Sequence, residues 1–200
     1  MWQVVILALA VLCAATGAAI AVAPQVAIFA GGCFWCLERD MEHLSGVIDV
    51  QTGYTGGWAQ NPTYRDVTTG GTGHYLAVRV VFDPDVTTYE RILRTYFFLI
   101  DPTEAGGQFC EGGASQRAAI FVRDDAQAEA AEAMRQRAGQ VLGAEVATPI
   151  LRAGRFWPAE ARHQGYAEAN PLRYEYYVRS CGRTERLREV WSGRPMLALE

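Results

Sequence analysis

The chain has 200 residues, half of them hydrophobic and a fifth charged, with a formal net charge of −4. That length and composition suit a single folded domain with its own core. The mild acidity and the lack of a long basic run argue against a nucleic-acid-binding surface, and no repeat or low-complexity tract is present.

The first feature in chain order is the uncharged run VVILALAVLCAATGAAIAVA, Val4 to Ala23. It reads as a secretory signal peptide with small residues for cleavage at Ala21-Val22-Ala23, or as an N-terminal membrane anchor, being about 20 residues long. The expected division is therefore a signal or tether over residues 1–23 and a working domain over 24–200. Either version exports the domain, to the periplasm or onto a membrane surface, where disulfides persist; the alternative is a hydrophobic tail on a cytoplasmic protein. Cys13 is one more apolar residue of this run, so four cysteines remain for the domain: Cys33, Cys36, Cys110 and Cys181.

QVAIFA (25–30), closed by Gly31-Gly32, predicts a buried strand, and Phe34 to Leu44 a helix stopped by Ser45-Gly46. VIDVQTGY is the next strand, followed by a long Gly/Thr/Pro loop to about Gly73, of a length that is often functional. HYLAVRVVFDP alternates, with Leu76, Val78, Val80 and Phe82 on one side of a strand. Thr87 and Glu90 predict a capping box ahead of the helix YERILRTYFFL. A second Gly-rich loop runs from Asp101 to about Ser115. AAIFV is then a strand, DDAQAEAAEAMRQRAGQVLG a helix ending at Gly143, and VATPIL a last strand. The order β-α-β-β-α-β predicts an α+β fold, a two-layer ferredoxin-like (split βαβ) sandwich with long loops. The aromatic, Arg-rich tail from Phe156 is expected to be irregular and to wrap the domain.

Cys33 and Cys36 admit three readings: a redox or nucleophilic pair, half of a metal site, or two small core residues. A zinc site needs further ligands at short spacing, whereas Cys110 and Cys181 stand alone and His43, His74 and His163 show no paired spacing. Against simple packing stands the position of Cys33, after two glycines and at the first turn of a helix. The helix dipole and free N–H groups there favour a thiolate. Cys36 is one turn further on, within disulfide reach.

The stretches GGCFWC, GYTGG, NPTYRDV, GGTGH, DPTEAGGQFC, WPAE, HQGY and SCGRTERL occur in the order and spacing of the A-type peptide methionine sulfoxide reductases, which the chain resembles from residue 25 to about 192. The resemblance implies an enzyme in which the Cys33 thiolate attacks the sulfur of methionine S-sulfoxide and becomes a sulfenic acid. A second thiol then closes a disulfide, which thioredoxin or a similar dithiol reduces. It implies no metal or organic cofactor, oxidised proteins or free methionine sulfoxide as substrate, and a monomer. Phe34 and Trp35 match the walls of a methyl pocket, Tyr54 a tyrosine aimed at the sulfoxide oxygen, and Glu111 an acid of the same pocket. Cys36 is the favoured resolving thiol, with Cys110 and Cys181 as the other candidates.

The pattern also departs from the family. Leu76 stands where the resemblance predicts the proton-donating acid, Gln116 where it predicts a second tyrosine, and Ala161-Arg162 where it predicts an acid and an aromatic. The expectations are then a reductase drawing its proton from Tyr54, Glu111 or water, one turned to another oxidised sulfur, or a thiol–disulfide exchange or sulfoxide-binding protein without turnover.

Overall fold

The computed structural model describes residues 22–194. The expected signal or anchor therefore lies outside the described residues except for its last two positions. Within them, no helix is long and apolar enough to cross a membrane.

Strand β1 (Gln25–Ala30) runs into α1 (Phe34–Glu42), then β2 (Val47–Thr55), β3 (Tyr75–Phe82) and α3 (Tyr89–Phe98), with the short α2 (Tyr64–Thr69) between β2 and β3. After α3 come the two-residue strands β4 (Gly107–Gln108) and β5 (Glu111–Gly112), then β6 (Ala119–Val122), α4 (Asp125–Leu142) and β7 (Ile150–Arg152). One six-stranded sheet forms in the order β7-β6-β1-β3-β2-β8, where β8 is Trp157–Pro158. Its inner four strands, β6-β1-β3-β2, pair antiparallel, which is the predicted split βαβ arrangement. The β6-α4-β7 unit extends it by a parallel pair.

Period-two patterning decides the two faces. Phe29, Tyr54, Leu76, Val78, Val80 and Phe82 join Leu37, Met41, Ile92 and Tyr96 from the helices in the main core. Phe29 stacks on Tyr96 at 4.6 Å between ring centroids, and burying each such ring stabilises by roughly 1.5–3 kcal/mol. Ile28, Ala30, Tyr75, Ala77 and Phe121 face the other way, with Leu151 and Phe156 packed against them.

Several local expectations change. The loop after β2 contains α2, capped by Thr63 and Asp66 in a reciprocal box. It is also pinned by His74, whose Nδ1 accepts from Gly57 N–H at 3.1 Å. Thr88, not Thr87, caps α3, accepting from Arg91 N–H, so Glu90 takes no part in a capping box. The last predicted strand begins only at Ile150, because Pro149 has no N–H for a ladder.

The tail is not irregular. It forms α5 (Tyr166–Ala169), α6 (Pro171–Ser180) and α7 (Arg183–Trp191), punctuated by Pro171 at the first turn of α6 and by left-handed Gly182. The buried face of α6 is aromatic rather than aliphatic, which hides its periodicity from a simple hydrophobic count. It does wrap the domain. Trp191 packs on Phe98 at 4.7 Å, and Arg183 and Arg186 pair with Asp40 and Asp101 at 2.9 and 2.7 Å.

Candidate active site

The end of β1 aims the chain at the site. Gly31-Gly32 turn it into α1, and Gly32 adopts a positive φ of 71°, where a Cβ would also meet Gln108 Cβ at 2.7 Å. Cys33 then occupies the N-cap of α1, and Cys36 N–H donates to its carbonyl at 3.0 Å. Both cysteines are buried free thiols.

The electrostatics of the pair differ from the expectation for Cys33 alone. Burial pushes the Cys33 thiol up, reinforced by its hydrogen bond to Cys36 and by the nearby charge of Glu111; the backbone N–H of Cys36 opposes them only weakly. Cys36 is held down by the hydrogen bond from Cys33, with help from the Arg183 guanidinium and the Tyr174 hydroxyl. Within the pair the thiolate is therefore favoured on Cys36 over Cys33, and the helix terminus does not by itself make Cys33 the thiolate.

Around the thiols stands an aromatic wall. Phe34 is buried, with Tyr64, His163 and Tyr54 at 5.9, 5.5 and 6.3 Å between centroids. Trp35 is half-buried and stacks on Tyr166 at 3.8 Å. Its indole N–H donates to His163 Nδ1 at 3.3 Å. Burial keeps His163 toward its neutral form, so its proton sits on Nε2, which is buried without a partner.

The structure places Tyr54 differently from the expectation. Its hydroxyl donates to Glu160 Oε2 at 2.6 Å and is committed to that carboxylate, not aimed at an incoming oxygen. Glu160 also accepts from the N–H of Tyr64 at 3.1 Å. Two other phenols feel Cys33 and Glu111, those of Tyr64 and Tyr177, each pushed up first by burial and then by those groups. NPTYRDV carried the signal for Tyr64 in the sequence. The roles of His163, Tyr166, Tyr174 and Tyr177 were not legible there, because the tail was expected to be irregular.

Glu111 does reach the site. Its Oε2 is buried without a hydrogen-bond partner and lies 3.5 Å from where a Cβ on Gly32 would stand. Leu76 sits opposite Tyr54 on β3 with its side chain in the main core, and Gln116 Oε1 is buried and unpartnered. Cys110 and Cys181 form a disulfide with each other. That leaves Cys36, among the described cysteines, as the free thiol beside Cys33. No group of three or more His, Cys, Asp or Glu is placed to hold a metal among the described residues.

Comparison with known proteins agrees with this geometry. The sequence profile of the peptide methionine sulfoxide reductases matches residues 25–195. A peptide methionine sulfoxide reductase of Caulobacter vibrioides is 47% identical over 186 residues, covering 93% of this chain and 95% of the relative. One from Bacillus subtilis is 43% identical over 172 residues, covering 85% and 97%. Among solved structures, reduced Mxr1 from Saccharomyces cerevisiae superposes with a TM-score of 0.70 at 26% identity, over 74% of this chain and 86% of that one. Methionine sulfoxide reductase A of Corynebacterium diphtheriae gives 0.68 at 29% identity, over 74% and 76%. With the thiol pair, its aromatic wall and the fold all in agreement, the chain belongs to the peptide methionine sulfoxide reductase family.

Proposed function

We infer that this chain reduces methionine S-sulfoxide, free or within oxidised proteins, to methionine, with Cys33 as the attacking thiol. The observation that carries this reading is the buried Cys33–Cys36 pair, both free thiols, at the start of α1, beside the aromatic wall of Trp35, Tyr64 and Tyr166. Aromatic faces suit a methyl group on sulfur, and soft sulfur contacts favour them.

Cys33 forms a bond to the sulfoxide sulfur after passing its proton toward Cys36, one helical turn away. The sulfoxide oxygen takes up a proton, its bond to the substrate sulfur breaks, and it ends on Cys33 as a sulfenic acid. Methionine leaves, two electrons having moved from the cysteine to the substrate sulfur. Cys36 then attacks the Cys33 sulfur and expels water, closing the Cys33–Cys36 disulfide. A thioredoxin-like dithiol restores both thiols by exchange and is itself oxidised. Arg183 and Tyr174, which favour the Cys36 thiolate, ready it for the second step. The disulfide between Cys110 and Cys181, together with the apolar run before Pro24, supports work in an oxidising compartment.

The test is single-turnover formation of methionine by the full, reduced chain. Cys33→Ser should abolish it. Cys36→Ser should still release one methionine and leave a sulfenic acid that dimedone traps. The R-sulfoxide should not react. If the natural chain forms no methionine from the S-sulfoxide, the reading fails and thiol–disulfide exchange at Cys33–Cys36 takes its place.

A further inference from the structure

The sulfoxide oxygen needs a proton, and the carboxyls packed about the thiol pair have different duties. Glu38 accepts from Gly165 N–H at 3.0 Å and also supports the backbone of Tyr166. Glu160 is occupied by the Tyr54 hydroxyl, the Tyr64 amide and Arg162. Strand β3 brings a leucine, Leu76, whose side chain is part of the core. Glu111 alone of these carboxyls presents an oxygen, Oε2, that is buried and without a partner, and it does so beside Gly32, the residue before Cys33. A buried polar atom left unpaired costs free energy that a bound polar group would recover.

The surroundings of Glu111 are built to keep it there. Cys110, its chain neighbour, is tied to Cys181 at the end of α6. Tyr174, Tyr177 and Cys181 share one face of that helix and its cap, by their spacing of three and four. Tyr174 reaches Cys36 and Tyr177 reaches Glu111, its hydroxyl also lying 3.9 Å from Cys181 Sγ. The titratable groups that interact with Glu111 are Cys33 from the start of α1, Tyr64 from α2 and Tyr177 from α6.

We propose that Glu111 delivers the proton to the sulfoxide oxygen, and that Tyr177 orients its carboxyl for that step. This assignment rests on the reading of the chain as a methionine sulfoxide reductase. As Cys33 bonds to the substrate sulfur, the O–H bond of Glu111 breaks and a new O–H bond forms on the sulfoxide oxygen. The products are methionine, the Cys33 sulfenic acid and the Glu111 carboxylate, which recovers its proton from water after methionine leaves. Charge and atoms balance, since the attacking thiolate's charge ends on Glu111. Burial raises the Glu111 pKa and so keeps the proton available, while the Tyr177 hydroxyl restrains the rise.

The experiment follows single-turnover methionine formation by the full chain, with Cys33 and Cys36 reduced and the Cys110–Cys181 disulfide intact, across about pH 5–9, with Glu111→Gln, Tyr177→Phe and Tyr64→Phe compared with the natural chain. The natural rate should fall at high pH as Glu111 ionises. Glu111→Gln should lower the rate by roughly 10²-fold or more, remove that falling limb and leave KM within a few-fold. Tyr177→Phe, which releases the hydroxyl's hold, should move the limb to higher pH without abolishing the reaction, and this shift tests the assignment even if Glu111→Gln folds poorly. A natural chain that reacts while Glu111→Gln matches it in rate and profile overturns the assignment and leaves the reductase reading intact. The loss appearing with Tyr64→Phe in place of Glu111→Gln overturns it in favour of Tyr64. A natural chain that forms no methionine sinks both.

Discussion

Removing the Cys110–Cys181 disulfide should cost the protein a large share of its stability. The bond spans 71 positions of sequence, and cross-linking a loop of that size removes unfolded-state entropy worth about 4 kcal/mol at 25 °C. Little of the effect should come from lost native packing. Cys110 is exposed, and the local contact beyond the bond is a 3.3 Å approach of Cys110 N–H to Cys181 Sγ. The C-terminal helices have other anchors, in the Arg183–Asp40 and Arg186–Asp101 ion pairs and the Trp191–Phe98 contact. The folded state of Cys110→Ser/Cys181→Ser should therefore persist. Guanidinium denaturation of this variant and of the natural chain without reductant, followed by tryptophan fluorescence, should differ by about 4 kcal/mol. At roughly 2–4 °C per kcal/mol for a domain of this size, the melting temperature should fall by about 8–16 °C. Adding a reductant to the natural chain should bring it to the variant's midpoint. A difference below about 1 kcal/mol, with both proteins confirmed as drawn, would refute the loop-entropy reasoning.

Glu38 is buried and its pKa is raised from 4.5 to about 7, chiefly by burial. A raised folded-state pKa means that its stabilising effect is fully present below pH 4.5 and is lost as pH rises through 7. That loss is on the order of 3 kcal/mol. Glu38→Gln should flatten this part of the profile in urea titrations at about pH 5 and 8.5; identical slopes would contradict it. Tyr96→Phe removes a hydroxyl that donates to Ala30 O at 2.7 Å and approaches Ala119 O at 3.3 Å. It should cost about 1–2 kcal/mol in the same assay, and a neutral result would show that the sheet satisfies both carbonyls without it. Gly57→Ala would drive a Cβ into the Thr72 carbonyl and the His74 amide, whereas Gly154→Ala meets nothing within 4 Å. Thermal denaturation should show a loss of about 1–3 kcal/mol for the first and almost none for the second.

Five of the six strands of the sheet, the two helices of the split βαβ unit and the cysteine-bearing turn before α1 were legible in the sequence, while β8 fell in the tail expected to be irregular. Each legible element is written in local terms: alternation along β3, a glycine pair ahead of Cys33, and turn residues at the element ends. A motif read in order with others also singled out Glu111, whose Oε2 the structure buries beside Gly32. What local pattern could not express was which side chain faces which across long separations. Tyr54 and Tyr64 are both tyrosines in glycine-rich surroundings, and only the return of the chain at Glu160, 106 positions beyond Tyr54, takes the hydroxyl of one. The thiolate preference shows the same limit. A helix start argues for Cys33, yet burial of Cys33 and its hydrogen bond to Cys36, with Arg183 and Tyr174, shift the charge toward Cys36, and the last two arrive on helices of a tail expected to be irregular. The pairing of Cys110 with Cys181, and with it the placing of Tyr177 over Glu111, was likewise decided by tertiary structure, because a disulfide depends on where two distant Cα atoms come to rest, here 4.9 Å apart.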